Sequence, residues 1–372
     1  MKIRDFGVEQ WMNEYENLGE YNLAETCVQS LTTAELLELT GKRDSFLDEI
    51  LPMQLTYGAI PGSDRLRTAI AALYERQGMD NVVVTHGAIG ANHLVHLTLV
   101  EPGDRIVSVL PTYQQHYSVP ESIGADVRVL RLREENDWLP DLDELAELVG
   151  DEAKLVAINN PNNPTGSLMD EAFLRKVVDI CEPAGAYLLC DEVYRGVDLA
   201  DPGTTASVAD LYERGISTGS MSKAFSLAGL RLGWVTGPQD LVAKLMVQRD
   251  YSTISVGMID DLLSAYALEH AEAILARNRA LVRGNHKTLS DWIEQEPHIT
   301  WVEPAGGTTA FLKYDLDVPS REFCVDLVER TGVILTPGSA FDVEGYLRIG
   351  YANSNEILRA GLERFSEHLA RM

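Results

Sequence analysis

The chain is poor in cysteine and in positive charge. Of 372 residues only Cys27, Cys181, Cys190 and Cys324 are cysteines, and no two form a CxxC pair. Such sparse spacing excludes a disulfide framework and argues against a cysteine-built metal site, so four reduced thiols are expected. Lys+Arg number 31 against 57 Asp+Glu, a formal net charge of −26. Nucleic acid needs a basic face to neutralise its phosphates, so that class of partner is excluded. No apolar run approaches the ~18 residues of a membrane span, so no membrane partner is expected. The opening MKIRDFGVEQWMNEYE is too acidic and too polar for a signal peptide, which makes the cytoplasm the expected location. Neither GxGxxG nor GxxxxGKS/T occurs, so a dinucleotide dehydrogenase and a P-loop NTPase lose their main sequence support. Repeats and low-complexity tracts are absent.

What is present is an ordinary globular mixture, 45% hydrophobic and 24% charged, long enough for two domains. From about residue 80 to 240, short β-rich runs alternate with helical ones. The runs are Val82–Thr85, Arg105–Leu110, Val127–Leu132, Leu155–Ile158, Tyr187–Cys190, Ile216–Thr218 and Leu232–Thr236. Helical patterns cover Ala88–Val100, Glu171–Cys181 and Gln239–Arg249. The alternation predicts an α/β fold, a mostly parallel seven-stranded sheet between helices, with ligands at the strands' carboxyl ends. Beyond about 255 the pattern changes to two long helices, Met258–Ala276 and Asn278–Glu294, and then a short α+β set. This predicts a large domain over 41–255 and a smaller α+β domain from 256–372, on which residues 1–40 pack.

The chemistry concentrates in a few loops. SMSKAFSLAGLRLGW, residues 220–234, sets Lys223 among serines and small residues, with Arg231 eight positions on. A lysine amine forms a Schiff base with an aldehyde cofactor. Ser220, Ser222 and the forked guanidinium of Arg231 suit that cofactor's phosphate. CDEVYRGVD places Asp191 at a strand's end, where a carboxylate keeps a pyridine nitrogen protonated, with Tyr194 three residues later as a donor to the ring oxygen. NNPNNPTG supplies Asn163, a second donor. THGAIGANHL is a strand-to-helix turn whose amides at Gly87, Ala88 and Ile89 are free for an anion. PTYQQHY offers Tyr113 for stacking on a flat ring.

Singly, each of these has a duller use. A lone lysine is usually solvated, Asp191 would cap a helix, Tyr113 would fill a core and Arg348 would decorate a strand. Their joint order carries the argument. From about Tyr57 to Arg348 the chain resembles the fold-type I pyridoxal-phosphate enzymes, specifically the class I/II aminotransferases. The resemblance rests on SxSKxFSxxGxRxGW, NPTG and DEVY.

It implies pyridoxal 5'-phosphate bound to Lys223, with Asp191 on the pyridine nitrogen and Asn163 and Tyr194 on the phenolic oxygen. It implies ring stacking by Tyr113 and phosphate contacts from the Gly87–Ile89 turn, Ser220, Ser222 and Arg231. In LTYGAIPGSDRLR, Tyr57 matches a tyrosine that reaches the partner subunit's phosphate. In YLRIGYA, Arg348 matches an arginine that grips the substrate carboxylate. The implied activity is amino transfer from an L-amino acid to a 2-oxo acid in a homodimer. Lyase, oxidase and cyclase chemistry on the same scaffold stay open. A non-catalytic regulator of this fold is the contrasting reading, and the acidity of the chain opposes it.

The chain departs from the family where a Gly-x-Gly-x-Pro-Asp lid is usual. YNLAETCVQSLT stands there, with Glu25 in place of a small residue and Glu14, Glu16 and Glu20 upstream. An acidic lid repels a second substrate carboxylate and suits an amine or guanidinium. This resembles the branch holding capreomycidine synthases and pyridoxal-dependent arginine oxidases, and implies a basic amino acid as substrate. His93 and His96 form HxxH without a carboxylate at a useful spacing, so no metal site is expected. His86, beside the Gly87 turn, is a further candidate contact to cofactor or substrate.

Overall fold

The computed structural model describes residues 2–372. Among these residues thirteen strands build three sheets. Strand β1 is Tyr21–Asn22. Seven strands follow, β2 Val82–Thr85, β3 Arg105–Leu110, β4 Asp126–Arg131, β5 Ala153–Asn159, β6 Tyr187–Asp191, β7 Gly215–Ser220 and β8 Gly233–Thr236. The remaining ones are β9 Ile299–Trp301, β10 Thr309–Tyr314, β11 Val333–Ile334, β12 Thr336–Pro337 and β13 Tyr346–Gly350.

The large sheet runs in the order β2-β8-β7-β6-β5-β3-β4. Strands β7, β6, β5, β3 and β4 are mutually parallel, and β8 lies antiparallel between β2 and β7. Its strands are largely apolar, as VVV in the edge strand β2 and LLC in the inner strand β6 illustrate, because helices cover both faces. One covering helix, Glu171–Ala184, starts on the Asp170 side chain, which accepts from Phe173 N, and stops at Gly185 with φ 61°.

The strand order reverses between β3 and β5, and carboxyl ends gather at that crevice. There β3 delivers Tyr113, β5 Asn163, β6 Asp191 and Tyr194, and β7 Lys223. Register aligns Asn159, Asp191 and Thr218 across three strands. Because β8 runs the other way, it begins at the same edge, so Arg231, two residues before it, reaches the same crevice as the ends of its neighbours.

The second sheet, β12-β13-β10-β9, is antiparallel throughout. One apolar core runs from Val82 and Val84 through Tyr266 and Leu289 to Leu347 and Ile349, joining the two sheets. Among the C-terminal helices the expected break near 277 lies at His270 instead, between helices Met258–Glu269 and Ala271–Ile293. Nothing in the local pattern marks that break, since no proline or glycine stands there.

The N-terminal segment touches both sheets rather than only the smaller one. Strand β1 pairs in parallel with β11. Yet Gly7 N donates to Gln114 Oε1 at 2.8 Å and Arg4 Nε to Ser118 Oγ at 3.0 Å, both beyond β3. Residues 22–28 lie against β13, where Gly350 N donates to the Leu23 carbonyl at 2.7 Å. A Cβ on Gly350 would run into the Glu25 carbonyl. Gly350→Ala is therefore expected to cost about 1–3 kcal/mol through overpacking. Calorimetry should show a Tm a few degrees lower; an unchanged Tm would show that the lid yields freely.

Candidate active site

These loop ends enclose a cavity of about 330 Å³. Its floor is Asp191, buried and fixed on several sides. Asn92 Nδ2 donates to Asp191 Oδ2 at 2.7 Å and Val193 N to Oδ1 at 3.2 Å. His116 Nε2 lies 3.7 Å from Oδ2. Asn92 is itself held by the Thr218 hydroxyl, which donates to its Oδ1 at 2.7 Å. Asn163 hangs from the same frame, its backbone N–H donating to Asn159 Oδ1 at 2.7 Å.

Lys223 enters this space from the loop after β7. Its Nζ donates to Thr26 Oγ1 at 2.7 Å and lies 3.5 Å from Cys27 Sγ. Burial works against its charge, but the Cys27 sulfur, the Tyr194 oxygen and the Glu25 carboxylate outweigh burial and hold the amine above the usual lysine range. Burial also pushes the Cys27 thiol up to about 11, so it is neutral near pH 7. Tyr194 is 2% exposed, and burial raises its phenol against the opposing pull of Lys223.

Arg348 projects from β13 and is 3% exposed. It donates to Asn163 Oδ1 at 3.2 Å, to the Ala24 carbonyl at 2.8 Å and to Thr336 Oγ1 at 3.0 Å, while its Nε has no partner. Tyr113 donates from its hydroxyl to Glu9 Oε1 at 2.9 Å and packs on Phe6 with ring centroids 4.8 Å apart.

Anion donors collect along one stretch of the wall. Ser220, Ser222, Ala88, Ile89 and Arg231 all line the cavity. Helix Gly87–Leu99 begins there with its first amides free. A Cβ on Gly87, whose φ is 67°, would stand 3.1 Å from the Arg231 guanidinium. A side chain at that position would fill the cradle, so glycine keeps it open. A forked cation, hydroxyls and a helix N-terminus suit a phosphate, and the unpartnered Arg348 Nε suits a carboxylate.

Glu25 lines the cavity too. Its Oε1 accepts from Thr26 N and Cys27 N, each at 2.8 Å. Burial opposes its ionisation, but the Lys223 ammonium and the two amides prevail and hold the carboxyl below its usual range. Glu9 and Glu16 join it on the wall. Burial, then Glu25 and Glu9, push the Glu16 carboxyl up.

Five anticipated residues do not line the cavity. Tyr57 is 74% exposed and outside this cavity. Gly87 backs the wall rather than lining it, and His86 does not line it either. Glu14 pairs with Arg321 at 2.6 Å on the surface, and Glu20 is not among the lining residues. His93 and His96 belong to no metal-binding group of three or more side chains among the described residues. Sequence reasoning missed Asn92, Asn159 and His116, although each sits inside a motif already singled out. It also missed Thr26 and Cys27, next to Glu25 in the YNLAETCVQSLT stretch, and Glu9, which carries no local mark; all three arrive through the fold of the N-terminal segment.

Residues 17–365 match the family described as Aminotransferase class I and II. The chain belongs to the class I and II aminotransferases. This aminotransferase-family enzyme is 33% identical over 368 residues to capreomycidine synthase of Streptomyces vinaceus, covering 97% of this chain and 93% of that one. It is 30% identical to aspartate aminotransferase of Pyrococcus horikoshii over 318 residues, 83% of this chain and 81% of that one. Among solved structures it resembles a PLP-dependent aminotransferase from Streptococcus suis, with TM-score 0.97, 41% identity, and coverage of 100% of this chain and 99% of that one. A PLP-dependent cyclase, OrfR, gives TM-score 0.92 at 28% identity, covering 100% of this chain and 98% of that one. The fold is that of the fold-type I enzymes, and pyridoxal phosphate is the cofactor of this transferase. No helix among the described residues is long and apolar enough to cross a membrane.

Proposed function

We propose that this enzyme moves the amino group of a basic L-amino acid, such as arginine, to a 2-oxo acid. The observation that carries the reading is the charge of the cavity wall. β13 presents one buried guanidinium, Arg348, suited to the substrate's α-carboxylate, and the N-terminal segment presents Glu9, Glu16 and Glu25. Burial first, and then Glu25 and Glu9, raise the Glu16 carboxyl, and an incoming cation would relieve the like-charge part. A second substrate carboxylate would meet repulsion there.

In this reading Ser220, Ser222, Arg231 and the Ala88 and Ile89 amides hold the cofactor's phosphate, with Gly87 shaping the turn. Asp191 holds the ring nitrogen, Asn163 and Tyr194 the ring oxygen, and Tyr113 the ring face. Pyridoxal phosphate, when bound, supplies an electron sink for the substrate's α-carbon. Arg348 orients the carboxylate, and Lys223 Nζ accepts the α-proton and later returns it.

A homodimer is part of the proposal. Tyr57 stands exposed with Leu51 and Leu55, while Val247 and Tyr251 are exposed on a following helix and turn. The two stretches meet where Arg249 donates to the Ile60 carbonyl. A second copy covering this apolar surface would bring Tyr57 toward the partner's phosphate. Residues 41–255 are the proposed cofactor-binding part, with 1–40 and 256–372 as lid and small domain.

A second reading, cyclisation of a basic amino acid, is favoured by the likeness to capreomycidine synthase over nearly the whole chain. Single L-amino acids added without a 2-oxo acid, in air and then without oxygen, separate the two. Amino transfer releases one equivalent of 2-oxo acid per site without oxygen, and becomes catalytic when a 2-oxo acid is supplied. A ring product without released 2-oxo acid establishes the cyclase, and oxygen-dependent turnover an oxidase. Failure of every amino acid to change the cofactor's absorbance refutes all three. Glu25→Ala is expected to lower kcat/KM for arginine roughly 10- to 100-fold relative to alanine, the worth of a hydrogen bond to a charged group. An unchanged preference among arginine, alanine and glutamate overturns the basic-substrate reading.

A further inference from the structure

We infer that Thr26 is the positioning residue for the Lys223 amine whenever that amine is not bonded to the cofactor. The inference rests on the reading of Lys223 as the cofactor lysine. During turnover the substrate's amine must displace Lys223, which then has to stay in place to handle a proton. Four methylenes carry that amine, and a chain so flexible holds no fixed position without a partner. The Thr26 hydroxyl is that partner at 2.7 Å.

The backbone that carries the hydroxyl is anchored independently of the lysine. Thr26 is 6% exposed. Its carbonyl accepts from the Thr308 hydroxyl at 2.6 Å and its amide donates to Glu25 Oε1 at 2.8 Å. The preceding carbonyls of Leu23 and Ala24 accept from Gly350 N and from Arg348. The residue bearing the acceptor is therefore tied to the second sheet by its backbone before the lysine arrives. Cys27 does not substitute for it, because its sulfur lies farther away, at 3.5 Å, and accepts hydrogen bonds only weakly. With one N–H committed to Thr26, the lone pair of a neutral Lys223 is confined to the remaining directions, and the cavity that the amine lines is among them.

The test compares Thr26→Val, close in shape but without the acceptor, with Thr26→Ser, which restores it. Holoenzyme kinetics should show Thr26→Val losing roughly 10- to 100-fold in kcat with KM within threefold, the scale expected of a misplaced reacting group. Thr26→Ser should stay within about threefold of wild type in kcat and KM, the same order of tolerance. A second readout uses apoprotein and follows reductive methylation of Lys223 against pH by mass spectrometry. Losing the acceptor disfavours the ammonium, so the Thr26→Val profile should move to lower pH and the Thr26→Ser profile should match wild type. The other groups that act on the amine, Cys27 and Glu25 beside Thr26, Tyr194 beyond β6 and Arg348 on β13, are unchanged in both variants, as is Glu16, which senses Lys223 in turn. An unmoved profile, or a loss confined to KM, overturns the inference. Absence of cofactor on Lys223 in the wild type would instead sink the functional reading beneath it.

Discussion

Lys223→Ala is expected to reduce turnover to the limit of detection. The substitution removes two functions at once. General-base work alone is worth on the order of 10²–10⁴-fold, and loss of the covalent hold on the cofactor adds to it. The fold should survive, because the amine's hydrogen-bond partners are Thr26 and Cys27, both anchored through the lid backbone. Circular dichroism should therefore match wild type. After borohydride reduction, mass spectrometry should find the cofactor on the Lys223 peptide of the wild type and on no peptide of the variant. A residual kcat within tenfold of wild type would remove Lys223 from the mechanism.

Arg348→Leu should have the next largest effect, chiefly on kcat/KM. Its guanidinium is already desolvated, and Asn163, Ala24 and Thr336 aim it while leaving Nε free. Burial pulls its pKa below the usual arginine range, against the support of Tyr194 and Glu25, yet arginine remains charged at any working pH. A carboxylate arriving there meets a prepared, dry cation, and removing one partner of such a pair costs about 2–5 kcal/mol. That is roughly a 30- to several-thousand-fold fall in kcat/KM. Arg348→Lys keeps the charge but loses the fork, and should recover only part of the activity. Simple amines lacking a carboxylate should react equally poorly with wild type and variant. A kcat/KM for amino acids within fivefold of wild type would place carboxylate binding elsewhere.

Much of this was legible in one dimension because neighbours in sequence remain neighbours in a loop. Lys223, Ser220 and Ser222 lie in or beside a single turn, and the reversal of β8 brings Arg231 back to it. Asp191 and Tyr194 lie together at another. Continuous apolar strands alternating with helices announce a covered parallel sheet, and such a sheet gathers its loops at one edge. The likeness of those loops to the class I and II aminotransferases then named the cofactor. The break at His270 was not legible, because helix ends without glycine or proline are set by packing.

The periodicity of the strands determined the fold class, and the likeness of the ordered motifs to the family implied the cofactor and the chemical types proposed for its site. Local spacing encodes both the loops and the pattern that stacks them. Tertiary structure alone decided what stands over the cavity. Thr26 and Cys27 lie roughly two hundred residues from Lys223 and reach it only because β1 pairs with β11 and the lid carbonyls hydrogen-bond to β13, while Glu9 reaches the cavity wall through Tyr113. Such long-range pairings depend on complementary surfaces rather than on any local repeat. They also left Tyr57 outside its own cavity, on an exposed surface.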